Sequence, residues 1–173
     1  MDNAIFKTNW ITVRESPQGF QYLERKGKDS VAVFLLRRVD TSLGTYKVLI
    51  CHQHLCLDNR QVDGRFNLFP CPVTGALDVE ELPEAAAQRE VYEETGYQVE
   101  VSPLGQYIVG TQLNEVCYLF YADVTGAGPE EGHHGVTYLE SMAQFSWQPV
   151  EYLKGCDYAA CQIGYLKLMD VLA

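Results

Sequence analysis

The chain has 173 residues, 47% of them hydrophobic, and its 13 basic and 23 acidic side chains give a formal net charge of -10 at pH 7. That length and composition suit one domain with a buried core, and the negative charge argues against long DNA or RNA as a ligand because it repels a phosphate backbone. A small phosphorylated ligand stays compatible with this charge if a divalent cation lies between the two negative partners.

No segment of the sequence is expected to associate with a membrane. The longest mostly apolar run, residues 30–36, is far shorter than the roughly 18 residues of a transmembrane helix. The first residues also lack the basic stretch and apolar core of a secretory signal. Because the six cysteines form no C-x-x-C pair in a chain of this length, we interpret them as reduced thiols. We therefore predict a cytoplasmic protein.

A weaker alternative for some of these cysteines is a zinc site. Residues 51–56 contain two cysteines and two histidines, and His52 and His54 would share one face of a strand. The spacing fits no common structural zinc pattern, and a buried cysteine is an ordinary small apolar side chain. We therefore favour buried thiols over bound zinc.

The hydrophobic pattern predicts strands followed by helices. Predicted strands, in chain order, are residues 10–14, 20–24, 31–36, 46–51, 66–73, 98–109, 116–124 and 145–149. Predicted helices are residues 83–95 and 159–172, the first beginning with Pro83 and ending at Gly96, which suits a left-handed stop. Residues 59–65 are predicted to be a polar loop. No repeat or linker divides the chain, so we expect a single domain over residues 1–173 with a mixed sheet covered on both faces.

The helix at residues 83–95 carries an unfavourable arrangement of acids. At about 100° per residue, Glu90, Glu93 and Glu94 fall on one face, where like charges three and four positions apart each cost about 0.2–0.5 kcal/mol. The last two also lie at the negative end of the helix dipole. Arg89, four residues before Glu93, offsets only part of this repulsion. A hard divalent cation such as magnesium neutralises such a set, whereas a solvated acidic helix is the alternative.

The helix belongs to a longer pattern that includes its two flanking loops. The fixed positions of the pattern are Gly75, Glu81, Arg89, Glu90, Val91, Glu93, Glu94, Gly96 and Tyr97. They resemble the Nudix box, which reads Gly, five residues, Glu, seven residues, Arg-Glu, an apolar residue, any residue, Glu-Glu, any residue, Gly and an apolar residue. Two positions depart mildly from this box: Leu82 stands where a capping Ser or Thr often occurs, and Tyr97 is aromatic where an aliphatic residue is commoner.

The resemblance implies an α/β (α+β) fold, the Nudix alpha-beta-alpha sandwich, with residues 75–97 as a loop-helix-loop motif. By position, Glu90, Glu93 and Glu94 would bind Mg²⁺ or Mn²⁺ together with the carbonyl of Gly75. Arg89 and Glu81 would hold this set in place, and Gly96 would support the end of the helix. The implied reaction is attack of water on a pyrophosphate in a nucleoside diphosphate joined to another group, releasing a nucleoside monophosphate.

The amino-terminal extension, residues 1–28, resembles that of the ADP-ribose pyrophosphatase group. In that group these strands often exchange across a homodimer, and an aromatic side chain there stacks on adenine. Trp10 is our candidate for stacking, with packing into an interface as the alternative. The resemblance favours ADP-ribose or a nucleotide sugar as the small nucleotide substrate, although residues 110–112 lack a proline common in that group.

Other functions stay open at this point. One alternative is a Nudix hydrolase that acts on dinucleoside polyphosphates or oxidised nucleotides. Another is a non-catalytic Nudix domain that senses a nucleotide, although such domains often lose box glutamates and none is lost here. The most general alternative is an acidic interaction module in which the helix is only surface.

A catalytic base outside the box is expected by the same resemblance, and the candidates are Glu130, Glu131 and Glu140. We favour Glu140, because it lies seven residues before Trp147 in a stretch resembling the passage where ADP-ribose-cleaving relatives carry such a glutamate. We predict that Glu140→Gln lowers kcat by about 10²- to 10⁴-fold, the usual contribution of a general base, without changing the melting temperature. Unchanged turnover in a steady-state assay would contradict this assignment.

Overall fold

The computed structural model describes residues 3–40, 45–53, 61–62, 65–66, 68–131 and 143–172. The strands of this part are β1 (Asn3–Lys7), β2 (Ile11–Glu15), β3 (Gln21–Arg25), β4 (Ser30–Asp40), β5 (Thr45–Gln53), β6 (Gln61–Val62), β7 (Arg65–Phe66), β8 (Phe69–Cys71), β9 (Val73–Ala76), β10 (Ser102–Gly110), β11 (Leu113–Asp123) and β12 (Gln144–Pro149). The helices are α1 (Pro83–Thr95), the 3-10 helix Val150–Gly155 and α2 (Ala159–Leu172). Within the described ranges, no helix has the length and hydropathy needed to span a bilayer.

Most of these strands form one mixed sheet. Its hydrogen-bonded order is β1-β2-β3-β11-β4-β5-β12, with β10 also paired to β11, β8 to β5 and β9 to β4. Strand β11 runs parallel to β3 and β4, and the other pairs are antiparallel. The first part of β4 bonds to β9 and its last part to β5. The sheet therefore divides along β4, which brings β9 and the loop after it beneath α1.

The sheet has one helix-covered core on each face. Alternate side chains of β4 point to opposite sides, as the strand repeat requires. The core on the α1 side includes Val31, Val33, Leu35, Ala86, Ala87 and Val91. The core on the α2 side includes Ala32, Phe34, Leu36, Ala160, Cys161 and Leu168. The predicted alpha-beta-alpha sandwich is therefore confirmed.

Both helices have the bounds that the sequence predicts, whereas two predicted strands and one predicted loop differ from the structure. The strand expected at residues 66–73 is three short strands, and Pro72 separates β8 from β9 because proline has no amide donor for the ladder. Residues 98–101 lie outside β10. Residues 59–65, expected as loop, include β6, which pairs with β7. Strand β1 has no counterpart among the predicted elements.

The cysteines of the described part are all free and buried: Cys51, Cys71, Cys117, Cys156 and Cys161. Burial raises the pKa of the Cys117 and Cys161 thiols, so they stay protonated near neutral pH. His52 is hydrogen-bonded through Nε2 to Ser146 Oγ at 3.0 Å. His54 and Cys56, the other residues of the zinc alternative, lie outside the described residues.

Candidate active site

Helix α1 places the glutamates of the box, and its two ends are held differently. Its amino-terminal end follows Leu82, which makes no side-chain cap, and begins with Pro83, whose fixed φ suits the first turn. Its carboxyl end is Gly96, with φ 73° and ψ 4°, whose N–H donates to the Tyr92 carbonyl at 2.9 Å. A Cβ at Gly96 would lie 2.6 Å from the carbonyl oxygen of Glu130. Glycine is therefore required there both by the backbone angle and by space.

Arg89 and Glu81 form a two-pronged ion pair beside the helix. Glu81 Oε1 accepts from Arg89 Nε at 2.9 Å, and Glu81 Oε2 accepts from Arg89 Nη2 at 2.9 Å. Glu81 Oε2 also accepts from the Asp78 N–H at 2.9 Å, and Arg89 Nη2 donates to the Ala76 carbonyl at 3.0 Å. Hydrogen bonding to Arg89 holds the pKa of Glu81 below its usual value, and the same pair raises the pKa of Arg89.

Two of the three clustered glutamates share one nitrogen of Arg89. Nη1 donates to Glu90 Oε1 at 2.8 Å and to Glu93 Oε2 at 3.1 Å. The side chain of Glu90 is 15% exposed and that of Glu93 is 39% exposed. Glu94 is a buried acid at the helix end, with 9% exposure. The guanidinium thus links the helix acids to the preceding loop through Glu81.

Gly75 lies in β9 directly against one of these acids. A Cβ at this position would lie 1.9 Å from Glu90 Cδ and 2.1 Å from Glu90 Oε1. Any other residue would therefore push Glu90 out of its place. The close approach sets a carboxylate beside the backbone of β9, where the predicted carbonyl ligand is located.

The chemistry of these donors fits a hard cation. Carboxylate and carbonyl oxygens are the ligands that Mg²⁺ and Mn²⁺ prefer. Within the described residues, no three side chains of Asp, Glu, His or Cys already lie in the arrangement of a cation site. Arg89 instead bonds to Glu90 and Glu93, so a bound cation would share these two carboxylates with it.

The three candidates for a catalytic base have different surroundings. Glu140 lies outside the described residues, and Glu131 is exposed. Glu130 Oε2 accepts from the Tyr92 hydroxyl at 2.8 Å, and Glu130 Oε1 accepts from Gln98 Nε2 at 2.7 Å. Hydrogen bonding to Glu130 raises the pKa of Tyr92, so this phenol stays a donor.

Trp10 lies beside the box rather than far from it. Its side chain is 71% exposed, and Lys26 Nζ is 5.4 Å from the centre of its ring. It lines a cleft of about 340 Å³ whose walls also include Arg25, Lys26 and residues 76–79. Sequence reasoning missed the two cations, although adjacent basic residues in an acidic chain were an available signal.

One of the two cations that line this cleft, Arg25, is paired with a buried carboxylate that was also missed from the sequence. Glu115 is 7% exposed, its Oε1 accepts from Ser30 Oγ at 2.6 Å, and its Oε2 lies 3.1 Å from Arg25 Nε. A buried acid of this kind is stable only when paired. Glu115, in β11, therefore holds the side chain of Arg25 at the end of β3.

The contacts of Tyr97 account for an aromatic residue at a box position where an aliphatic residue is common. The residue is 5% exposed within the core on the α1 side. Its hydroxyl accepts from Arg37 Nη2 at 2.8 Å, and the Arg37 guanidinium lies 4.2 Å from the centre of the Trp147 ring. The ring fills the core, and the hydroxyl accepts a hydrogen bond from a charged donor. An aliphatic side chain has no acceptor atom for this bond.

The depressed pKa of Glu81 predicts a pH dependence of stability. Its ionised form is favoured in the folded state, so its contribution is full above the ordinary carboxyl value of about 4.3 and is lost as the pH falls toward the lower folded pKa. The difference in unfolding free energy between the unmodified protein and Glu81→Gln should be constant above about pH 5.5 and shrink below about pH 4.3. Urea denaturation at each pH measures it, with exposed Glu100→Gln as the control. A difference independent of pH would contradict the pair's role.

Comparison with known proteins places the chain in a family. A family model described as NUDIX domain matches residues 26–160. A search of curated proteins finds no match. The solved structure of an ADP compounds hydrolase is similar with a TM-score of 0.64 and 16% identity, covering 99% of this chain and 91% of the other.

Two further solved structures have the same fold. An Ap4A hydrolase of C. elegans has a TM-score of 0.58 at 14% identity, with 83% of this chain and 96% of the other covered. A protein of Listeria monocytogenes str. 4b F2365 that has been assigned as a NUDIX hydrolase has a TM-score of 0.58 at 17% identity. The match covers 83% of this chain and 92% of the other. Since the family model covers most of the chain and the fold agrees with it, the chain belongs to the Nudix family.

Proposed function

We propose that the protein hydrolyses the pyrophosphate bond of a nucleoside diphosphate linked to a second group, with ADP-ribose or a nucleotide sugar as substrate and Mg²⁺ or Mn²⁺ as cofactor. The observation that carries the proposal is the joint attachment of Glu90 and Glu93 to one nitrogen of Arg89, beside buried Glu94. Such a set of acids is costly unless it serves to hold a cation. The similarity to an ADP compounds hydrolase agrees with a substrate that contains ADP.

The roles of the chain's own residues follow from these contacts. A bound divalent cation would lower the pKa of water and neutralise charge on the phosphate oxygens. Arg89, held by the two prongs of Glu81, orients Glu90 and Glu93. Gly75 leaves the room that the Glu90 carboxylate occupies. The protein thus contributes mainly fixed positions, which is the usual contribution in phosphoryl chemistry.

The cleft beside the box fits the nucleotide part of such a substrate. Its volume of about 340 Å³ lies in the range of small-molecule sites. The exposed indole of Trp10 offers a face for a base, and Arg25 and Lys26 supply positive charge for phosphates. Residues 76–79, which belong to the box, also line the cleft, so a substrate there would lie against the box.

Hydrolysis of dinucleoside polyphosphates is the second candidate, and the similarity to an Ap4A hydrolase favours it. Both candidates need the same box, and they differ in how many phosphates and bases the cleft must hold. A nucleotide sensor would bind without cleaving, and retention of every box glutamate argues against it.

A nucleotide assay tests the function. With Mg²⁺, the protein should release AMP from ADP-ribose, and excess EDTA should abolish release. Because they remove charged oxygen ligands, Glu93→Gln and Glu94→Gln should each lower kcat/KM by about 10²-fold or more and weaken cation binding, a loss typical of such electrostatic groups. Exposed Glu100→Gln is the charge-matched control.

The other outcomes of that assay are informative. Cleavage of Ap4A but of neither ADP-ribose nor nucleotide sugars would select the second candidate. Binding of ADP-ribose without cleavage would identify a sensor, and unchanged cation affinity in both glutamine variants would overturn the metal assignment.

A change at Trp10 tests the stacking role. Trp10→Ala should raise KM by about 5- to 100-fold, the loss expected from one base–aromatic stack, while kcat stays within about twofold. Trp10→Phe should recover most of the loss. Ile108→Ala, which removes another exposed apolar side chain outside the cleft, is the control. An unchanged KM for Trp10→Ala would favour the interface interpretation.

We also propose a cytoplasmic homodimer that associates through β1. This strand ends the main sheet, and its apolar side chains Ile5 and Phe6 are 46% and 56% exposed. The free buried thiols of the described part suit a reducing compartment. Light scattering should give a dimer for the unmodified protein and a monomer for Ile5→Asp/Phe6→Asp, because charges there cannot be buried unpaired. Leu166→Asp, on the exposed face of α2, should stay dimeric, and a monomeric unmodified protein would refute the proposal.

A further inference from the structure

We propose that Glu130 is a positioning residue that clamps the last turn of α1 and thereby strengthens divalent-cation binding by Glu93 and Glu94. The clamp consists of the Glu130 carboxylate with its two side-chain donors, Tyr92 and Gln98, together with the backbone contact to Gly96. This inference rests on the metal role of the box glutamates in the proposed function.

The clamp connects the helix end to a loop that is distant in sequence. The Glu130 carboxylate accepts from the Tyr92 hydroxyl through Oε2 at 2.8 Å and from Gln98 Nε2 through Oε1 at 2.7 Å. Its own N–H donates to the Gly96 carbonyl at 2.9 Å. The residues before and after the end of α1 are therefore bound to the same loop residue.

The last turn needs such support, because it contains its own source of instability. Glu93 and Glu94 are each repelled by Glu90, three and four residues earlier, and both oppose the helix dipole. The last turn has no basic residue of its own. A carboxylate at position 130 also opposes the dipole, so its benefit there comes from the hydrogen bonds that it accepts.

The position of the clamp separates it from direct catalysis. At about 100° per residue, Tyr92 points about 160° away from Glu90 and Glu94 around the helix axis. Glu130 is bound to Tyr92, whereas Glu93, the third box acid, lies about 100° from Tyr92 around the axis. These contacts of Glu130 are with the helix end and not with the box glutamates, which suits a positioning role.

Binding of Mn²⁺ to the protein without nucleotide tests the clamp, with free Mn²⁺ measured by electron paramagnetic resonance. Glu130→Ala should raise the Kd by about 3- to 10-fold and the charge-neutral Tyr92→Phe by about 2- to 5-fold, the range expected for lost hydrogen bonds. The Kd of the double variant should be no higher than that of Glu130→Ala, since both changes break the same hydrogen-bond network. Glu100→Ala removes an equal charge from an exposed site after α1 and controls for net charge.

A second measurement needs no metal. Amide hydrogen exchange at residues 93–96 should become faster in Glu130→Ala and Tyr92→Phe than in the unmodified protein and in Glu100→Ala.

At saturating Mg²⁺, AMP release by Tyr92→Phe should keep its kcat within about twofold, because the contact acts on cation affinity.

Three results would overturn the clamp. If Glu130→Ala and Glu100→Ala have the same Kd for Mn²⁺, Glu130 has no specific effect on cation binding. If the kcat of Glu130→Ala falls at least about 100-fold at saturating Mg²⁺ while its Mn²⁺ affinity is unchanged, Glu130 is a catalytic base. No Mn²⁺ binding by the unmodified protein refutes the metal assignment and the clamp together, whereas normal binding that the variants leave unchanged refutes the clamp alone.

Discussion

The ion pair between Arg89 and Glu81 is the interaction on which the arrangement of the site depends. Two parallel hydrogen bonds fix the plane of the guanidinium, and its remaining nitrogen is then directed at Glu90 and Glu93. A lysine would supply one charge without this geometry. The pair therefore converts repulsion among helix acids into a defined arrangement, and it does so from a loop that precedes the helix.

The packing of α1 on the sheet sets the depth of that arrangement. Ala86, Ala87 and Val91 are small or compact, and all three are fully buried against β4 and its neighbours. Small side chains let the helix approach closely, which places Glu90 against Gly75 and buries Glu94. The acids thus lie at the boundary between core and surface, where their interactions with a cation are stronger than in water.

The loop that follows the amino-terminal extension is joined to the same motif by a backbone contact. The Leu77 N–H donates to the Asp29 carbonyl at 3.0 Å, and the Asp29 carboxylate accepts from the Val116 N–H at 3.0 Å. The loop after β3 is therefore tied both to the box and to β11. This connection brings Trp10 and Arg25 to the cleft beside residues 76–79.

Local sequence signals determined the two helices, the spacing of the box and the sandwich class. The 3.6-residue repeat and the helix-end signals at Pro83 and Gly96 depend only on residues close together in the chain. They can therefore be recognised without a structure. The identity of the acids and of Gly75 was likewise visible in the sequence. The breaks around β8 were not predicted, because they depend on which neighbour each short strand pairs with.

Only the tertiary structure decided which partners these residues have. The spacing predicted the bond from Arg89 to Glu93 four residues later, which the structure contains, but not that the two-pronged contact of Arg89 is to Glu81 eight residues earlier. Glu130, a less favoured candidate for a base than Glu140 by sequence, is bound to Tyr92 across 38 positions. Sequence periodicity reports neighbours along one element, and contacts between distant segments arise only when the whole chain packs around its two cores.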